Sequence, residues 1–321
     1  CKINWKGNLF VFYNTQKDKQ MEIFRKMSFA DSTGDAIPFY HEGKYHIFSL
    51  TSPPGTTVYP ERLRTTWSHS ISDDLVHWQE LPTALYPGEG DEPDASGVWT
   101  GSVIYGEGQY HAFYTGYCLT AEFQQTICHA TSDDGITWTK DIANPVITPM
   151  TELYEKLDWR DPYVFYNEED ENYWILISAR RLDMPVTRRG CIVLYRSKNL
   201  KDWTYYGPIY SPGHTNCPEC PEMYKMGGHW YLSYSRFSEF VNTIYRVSES
   251  PFGPWRKPKK DGIGGRRFYA AKSMQNDDGR RFYFGWAHDR AEQSDKGEWY
   301  WGGTFCIPHE VRSEERRVGK E

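Results

Sequence analysis

A loose internal repeat constrains this chain more than any single motif does. Five times, a turn residue leads into a run of aromatic and aliphatic residues: Gly43-Lys44-Tyr45-His46-Ile47-Phe48, Gly108-Gln109-Tyr110-His111-Ala112-Phe113-Tyr114, Glu171-Asn172-Tyr173-Trp174-Ile175-Leu176, Gly228-His229-Trp230-Tyr231-Leu232-Ser233 and Gly279-Arg280-Arg281-Phe282-Tyr283-Phe284. Such residues suit a pleated, half-buried strand. After each of the first four copies comes a Ser-led segment ending in Trp, namely residues 72–78, 132–138, 197–203 and 248–255. The Asp, Asn and Gly residues in these segments suit tight hairpin turns, and the Trp returns the chain to a core. Further strand-like runs, residues 125–130 and 190–195 among them, lie between the two elements.

Each repeat therefore holds about four short strands, and the period falls in the range of propeller blades. Five copies predict an all-β fold, a five-bladed β-propeller with four-stranded antiparallel blades. No helical periodicity of useful length competes. The propeller is expected over residues 34–311, within a chain of 321 residues, which suits one large all-β domain. Residues 1–33 contain the apolar runs Leu9-Phe10-Val11-Phe12-Tyr13 and Ile23-Phe24, expected as strands that precede or close the propeller. The last ten residues, 312–321, switch to a charged run; they are expected to be a solvated, non-native tail, similar to a translated sequencing adapter. Long loops expected to carry a site span residues 51–65, 86–97 and 204–218.

The net charge of −6 and a pI near 6.0 give no electrostatic footprint for nucleic acid or an anionic membrane. No run approaches the ~18 apolar residues of a membrane span, and the first residues lack a signal-peptide pattern. The odd count of 7 Cys argues for a reducing, cytoplasmic setting, although the chain begins without Met. Cys217-Pro218-Glu219-Cys220 has the spacing of half a zinc site, but no second pair completes it, so no metal is expected. With 13 Trp and 24 Tyr at a mean hydropathy of −0.73, the apolar surface is carried by rings with polar edges, which suit sugar binding as well as strands.

The segments preceding the aromatic strands are the candidates for innermost strands, and their first residues would stand around one rim of the channel. Asp35, Asp161 and Glu219 lie ten, twelve and eleven residues before Tyr45, Tyr173 and Trp230. Three acids from three blades would then meet in one depression. Gathered carboxylates repel, and the least solvated one holds its proton to higher pH. Such a set supplies an acid and a nucleophile from one residue type, which is what glycosidic cleavage needs. Arg160, next to Asp161, favours the ionised acid, and Pro162 places that pair at a strand's entrance.

The combination of Gly34-Asp35 with Pro38-Phe39-Tyr40, Trp99-Thr100-Gly101-Ser102, Trp159-Arg160-Asp161-Pro162 and Glu219-Cys220-Pro221 resembles glycoside hydrolase family 32, the β-fructosidases with a five-bladed catalytic propeller. The likeness runs in order from about Gly34 to Trp301. It implies Asp35 as nucleophile, Glu219 as general acid/base and Asp161 as the residue that grips sugar hydroxyls and steadies the transition state. It also implies a retaining mechanism without metal or other cofactor, with Asp35 and Glu219 roughly 5–5.5 Å apart. The family's usual Asn-Asp-Pro-Asn-Gly run is here Gly34-Asp35-Ala36-Ile37-Pro38, and its Asp after Glu-Cys-Pro is Glu222. Many members continue into a β-sandwich, for which this chain has no room.

Candidates for sugar contacts are Arg160, Trp99 with its neighbour Thr100, Trp67 and Lys272 on the fifth inner strand; Trp159 is a weaker candidate. His46 and His111 are expected to be structural. The expected partner is a carbohydrate, a β-fructoside such as sucrose or a fructan. Two other readings remain open on sequence grounds: an inverting arabinanase- or xylosidase-like propeller, and a propeller that only binds carbohydrate.

Overall fold

The computed structural model describes residues 24, 26–265, 267–294 and 296–313. Strands β1 (Thr33–His41), β2 (Lys44–Thr51), β3 (Thr66–Ser72) and β4 (Trp78–Leu85) form the first antiparallel blade. The second is β5 (Gly97–Gly106), β6 (Gln109–Tyr117), β7 (Gln125–Ser132) and β8 (Thr139–Lys140). The third is β9 (Arg160–Asn167), β10 (Asn172–Arg180), β11 (Gly190–Ser197) and β12 (Thr204–Tyr210), so the expected loop at 204–218 is strand for its first half. The fourth is β13 (Glu219–Met226), β14 (His229–Arg236), β15 (Asn242–Ser248) and β16 (Gly262–Ile263), with a one-turn helix α1 (Phe237–Phe240) after β14.

The fifth blade departs from the pattern. It holds β17 (Tyr269–Gln275), β18 (Arg281–Arg290) and β19 (Trp299–Phe305), and β20 (His309–Val311) pairs with the first part of β18. This is the repeat that lacks a Ser-led turn, and its third place is shared by β19 and β20, which pair with successive parts of β18. Blade 1 pairs with it at Thr33 and Gly303. The strands expected around residues 9–13 and most of the charged tail lie outside the described residues. No helix of the described residues is long and apolar enough to cross a membrane.

The Ser-led segments join the third and fourth strands of a blade. In blade 1 the Ser72 hydroxyl accepts from the N–H groups of Asp74 (3.2 Å) and Leu75 (2.9 Å), and Asp74 Oδ1 accepts from Val76 and His77 (both 2.8 Å). Ser132 with Asp134, and Ser197 with Asn199, repeat this pattern. Short polar side chains thus satisfy backbone donors that the turn leaves unpaired.

In blades 1, 2 and 3 the Trp that ends the segment packs edge-on against a Phe of the preceding blade, whereas Trp255 of blade 4 packs against the cluster of Trp174, Leu176 and Ile192. Trp138 meets Phe48 at 5.8 Å, Trp203 meets Phe113 at 5.3 Å, and Trp78 meets Phe284 at 6.4 Å. Each pair adds about 0.5–1.5 kcal/mol beyond the area it buries. The last of these pairs joins blade 1 to blade 5. The innermost strands touch in the same cycle, β1 to β5, β9, β13, β17 and back to β1, so the five blades surround one channel.

Candidate active site

All five inner strands carry a β-bulge near their first residues. The register breaks between Thr33 and Ala36, Val98 and Gly101, Arg160 and Tyr163, Glu219 and Glu222, and Tyr269 and Lys272. In each case two residues oppose one on the neighbouring strand. In blades 3, 4 and 5 the first bulged residue is left-handed, Asp161 at φ 59°, Cys220 at 50° and Ala270 at 47°, a conformation that costs a residue other than glycine of order 1–3 kcal/mol. Regular strands send neighbouring side chains to opposite faces, and a bulge breaks that alternation. Trp99 and Thr100, Arg160 and Asp161, and Glu219 and Cys220 are neighbours in sequence, yet all six line one cavity of about 400 Å³.

The three acids do converge, but not from equivalent positions. Glu219 stands just before its bulge, Asp161 is the first bulged residue of β9, and Asp35 the second of β1. The spacings of ten, twelve and eleven residues to the aromatic strand do not follow that stagger, because the hairpin turn of blade 3 (168–171) is two residues longer than those of blades 1 and 4. Asp35 and Asp161 are buried, at 8% and 4% exposure, whereas the Glu219 side chain keeps 23%.

Arg160 organises the floor. Its guanidinium donates to Glu219 Oε1 (2.7 Å), to Gln125 Oε1 (3.1 Å) and to Asp158, whereas Asp161 Oδ2 lies 3.7 Å from Nε. Its closer partner is therefore Glu219, not the adjacent Asp161 to which the sequence ties it. Asp161 instead accepts the Cys220 N–H (2.9 Å), while its own N–H donates to Thr115 Oγ1 (2.8 Å). Asp35 accepts the Trp286 indole N–H (2.8 Å) and the Cys220 thiol (3.6 Å). Tyr269 donates its hydroxyl to Glu219 Oε2.

Burial pushes all three carboxyls above their ordinary range. For Asp35, Thr100, Lys272 and Trp286 pull the other way. Arg160 opposes the rise at Asp161 and at Glu219, and the Asp161 charge adds to it at Glu219. Four carboxyl groups, counting Asp158, share this cavity with one guanidinium in its lining. At least one of them retains its proton more readily than a free side chain does.

Of the remaining candidates, Trp99 lines the cavity, stacked on Tyr117 at 4.0 Å with its N–H on the Leu63 carbonyl (2.9 Å). Thr100 lies beside it. Trp67 does not reach the cavity: it is fully buried between blades and donates to the Trp99 carbonyl (2.9 Å), so it supports a lining residue without being one. Trp159 is likewise core. Lys272 is fully buried beneath the floor and cannot touch a ligand in the cavity.

Sequence reasoning missed the aromatic wall formed by Tyr59, Phe237, Tyr269, His288 and Trp299–Trp301. Loop 51–65 supplies Tyr59 and Leu63, as a site-bearing loop should, but loop 86–97 supplies no lining residue ahead of β5. The aromatic density of Trp299-Tyr300-Trp301 was the available signal. Gly34 backs this wall without lining it, since a Cβ there would lie 2.4 Å from the Trp301 ring. Cys217 and Cys220 are free and buried, their sulfurs on Arg160 and Asp35.

Residues 35–320 match the family model described as glycosyl hydrolases family 32 N-terminal domain. This chain belongs to glycosyl hydrolase family 32. Among family 32 relatives, the sucrose-6-phosphate hydrolase of Zymomonas mobilis is 26% identical over 296 residues, covering 85% of this chain and 56% of the relative. The levanase of Bacillus subtilis is 30% identical over 303 residues, covering 85% and 42%. The solved fructan 1-exohydrolase IIa of Cichorium intybus superposes with a TM-score of 0.73 at 23% identity, over 93% of this chain and 59% of that one, and shares its fold. The chain thus spans about half the length of the curated relatives it matches.

Proposed function

We propose that this chain carries the catalytic propeller of a β-fructofuranosidase that cleaves β-fructosidic bonds by a retaining, double-displacement route. The observation that carries the reading is the convergence of Asp35, Asp161, Glu219 and Arg160 on one cavity. Relatives named sucrose-6-phosphate hydrolase and levanase support a fructoside as substrate.

In the first step the Asp35 carboxylate attacks the anomeric carbon. The glycosidic C–O bond breaks, and Glu219 transfers its proton to the departing oxygen. In the second step Glu219, now a carboxylate, takes a proton from water as that oxygen attacks the same carbon and releases Asp35. Glu219 is the most exposed of the three acids and faces the cavity, where a leaving group would sit. Asp161, anchored by the Cys220 N–H, accepts hydroxyls of the bound sugar and stabilises the positive charge that develops on its ring. Arg160 holds Glu219 and Asp158 in place and balances part of the floor's negative charge.

The test is hydrolysis of sucrose, inulin, levan and aryl furanosides, with product configuration read by NMR. Release of β-fructose with retention supports the proposal. Inversion would remove Asp35 as a covalent nucleophile, and binding without hydrolysis would reduce the propeller to a carbohydrate-binding module.

A further inference from the structure

The floor holds a cation that the mechanism above does not use. Lys272 follows the bulge of β17, is fully buried, and donates its ammonium to the carbonyl of Gly101, which follows the bulge of β5. In the ring of inner strands β1 lies between β17 and β5, so the side chain crosses the channel from blade 5 to blade 2 past the strand that bears Asp35.

A buried ammonium is costly unless negative charge answers it. The charge of Lys272 acts on Asp35 of β1, Asp161 of β9, and Cys220 and Glu222 of β13, the strands gathered around this floor. Of these acids, Glu222 is paired with Arg281 of β18 at 3.4 Å, and Asp161 lies 3.7 Å from Arg160, whose shorter contacts go to Glu219 and Asp158. Among the described residues Asp35 has no ion pair of its own, and neither has Lys272. The remaining cation and the remaining anion occupy the same buried floor.

We propose that Lys272 is a positioning residue whose charge, delivered through the floor from blade 5, holds Asp35 as a carboxylate while its bond to Gly101 ties blade 5 to blade 2. Its kinetic consequence rests on the reading of Asp35 as nucleophile; its effect on the ionisation of Asp35 does not. Removing an opposite charge that supports a buried carboxylate raises its pKa, by about one unit or more. The acid limb of kcat/KM then moves up by the same amount, because Asp35 must be ionised to attack.

The experiment is a ¹³C carboxyl NMR titration of the whole chain labelled at Asp side chains, with Asp35→Asn identifying the resonance. It is run on the parent protein, on Lys272→Met, which removes the charge, and on Lys272→Gln, which removes the charge but keeps an amide donor for Gly101. In each folded variant the Asp35 midpoint is expected to rise by at least about one unit, and the acid limb of kcat/KM with it. A midpoint that stays within ~0.2 unit in either folded variant overturns the proposal, as does a loss of rate with an unmoved acid limb. Should neither variant fold, the ¹⁵N resonance of the parent Lys272 decides, since a neutral amine at pH 7 leaves no charge to deliver. If the parent protein hydrolyses no furanoside, the functional reading falls while the carboxyl titration still judges Lys272.

Discussion

Tyr269→Phe tests the electrostatics of the proposed acid/base with little disturbance of packing. The Tyr269 ring sits edge-on to Trp286 at 5.8 Å and to Phe237 at 6.1 Å, contacts that a Phe keeps. What disappears is the hydroxyl that donates to Glu219 Oε2. A hydrogen bond to a charged group is worth about 1.5–3 kcal/mol. It favours the ionised form of Glu219, so its loss raises the carboxyl pKa further, by about one to two units at 1.36 kcal/mol per unit. Burial already holds Glu219 above its ordinary value, and Arg160 remains to oppose the rise.

The first chemical step needs Glu219 protonated, so activity is lost as pH climbs through its pKa. The basic limb of kcat/KM on sucrose is therefore expected to move up by about one to two units in Tyr269→Phe, while the acid limb stays. The assay is initial-rate hydrolysis from pH 4 to 9 on both proteins. A basic limb unchanged within about 0.3 unit, or displaced downward, would refute either the hydrogen bond or the role of Glu219.

Further outcomes follow from the same geometry. Glu219→Gln should lower kcat on sucrose by roughly 10²–10⁴ and recover most on aryl fructosides with good leaving groups, whereas Asp35→Asn should abolish turnover on both; steady-state kinetics on the two substrate classes separates these. Gly34→Ala places a Cβ 2.4 Å from the Trp301 ring, so stability should fall by about 1–3 kcal/mol in urea and KM should rise as Trp301 is driven from its place in the wall. The buried His46–His69 pair, with Nδ1 and Nε2 at 3.0 Å, has its pKa values lowered by burial to about 4 and about 3. The unfolded chain takes up these protons first as pH falls, so the pair's contribution is present above about 6.5 and lost toward those lower values. Replacing both by Phe should flatten the dependence of Tm on pH between 6.5 and 4 relative to the parent protein, and an unchanged slope would count against the assignment.

The sequence alone determined what depends on local chemistry. Aromatic strands recur in every blade because each must bury one layer against the next, and the Ser-led turns recur because each hairpin needs the same side-chain acceptors for its backbone N–H groups. The absence of the fifth turn marked the blade that departs from the pattern. The acids could be named because they stand at strand entrances, and a propeller gathers such entrances on one rim.

Tertiary structure decided which neighbours those residues have. The bulges that bring Glu219, Asp161 and Asp35 together from three different ladder positions appear only once the strands are paired. Trp67 could not be separated from Trp99 by type, and pairing between blades placed one in the core and the other in the wall. Arg160 finds Glu219 59 residues along the chain, and Asp35 finds Trp286 at a separation of 251. The first contact needs consecutive blades packed side by side and the second needs blade 5 to meet blade 1, and together they set which carboxyl is held and which is left to Lys272.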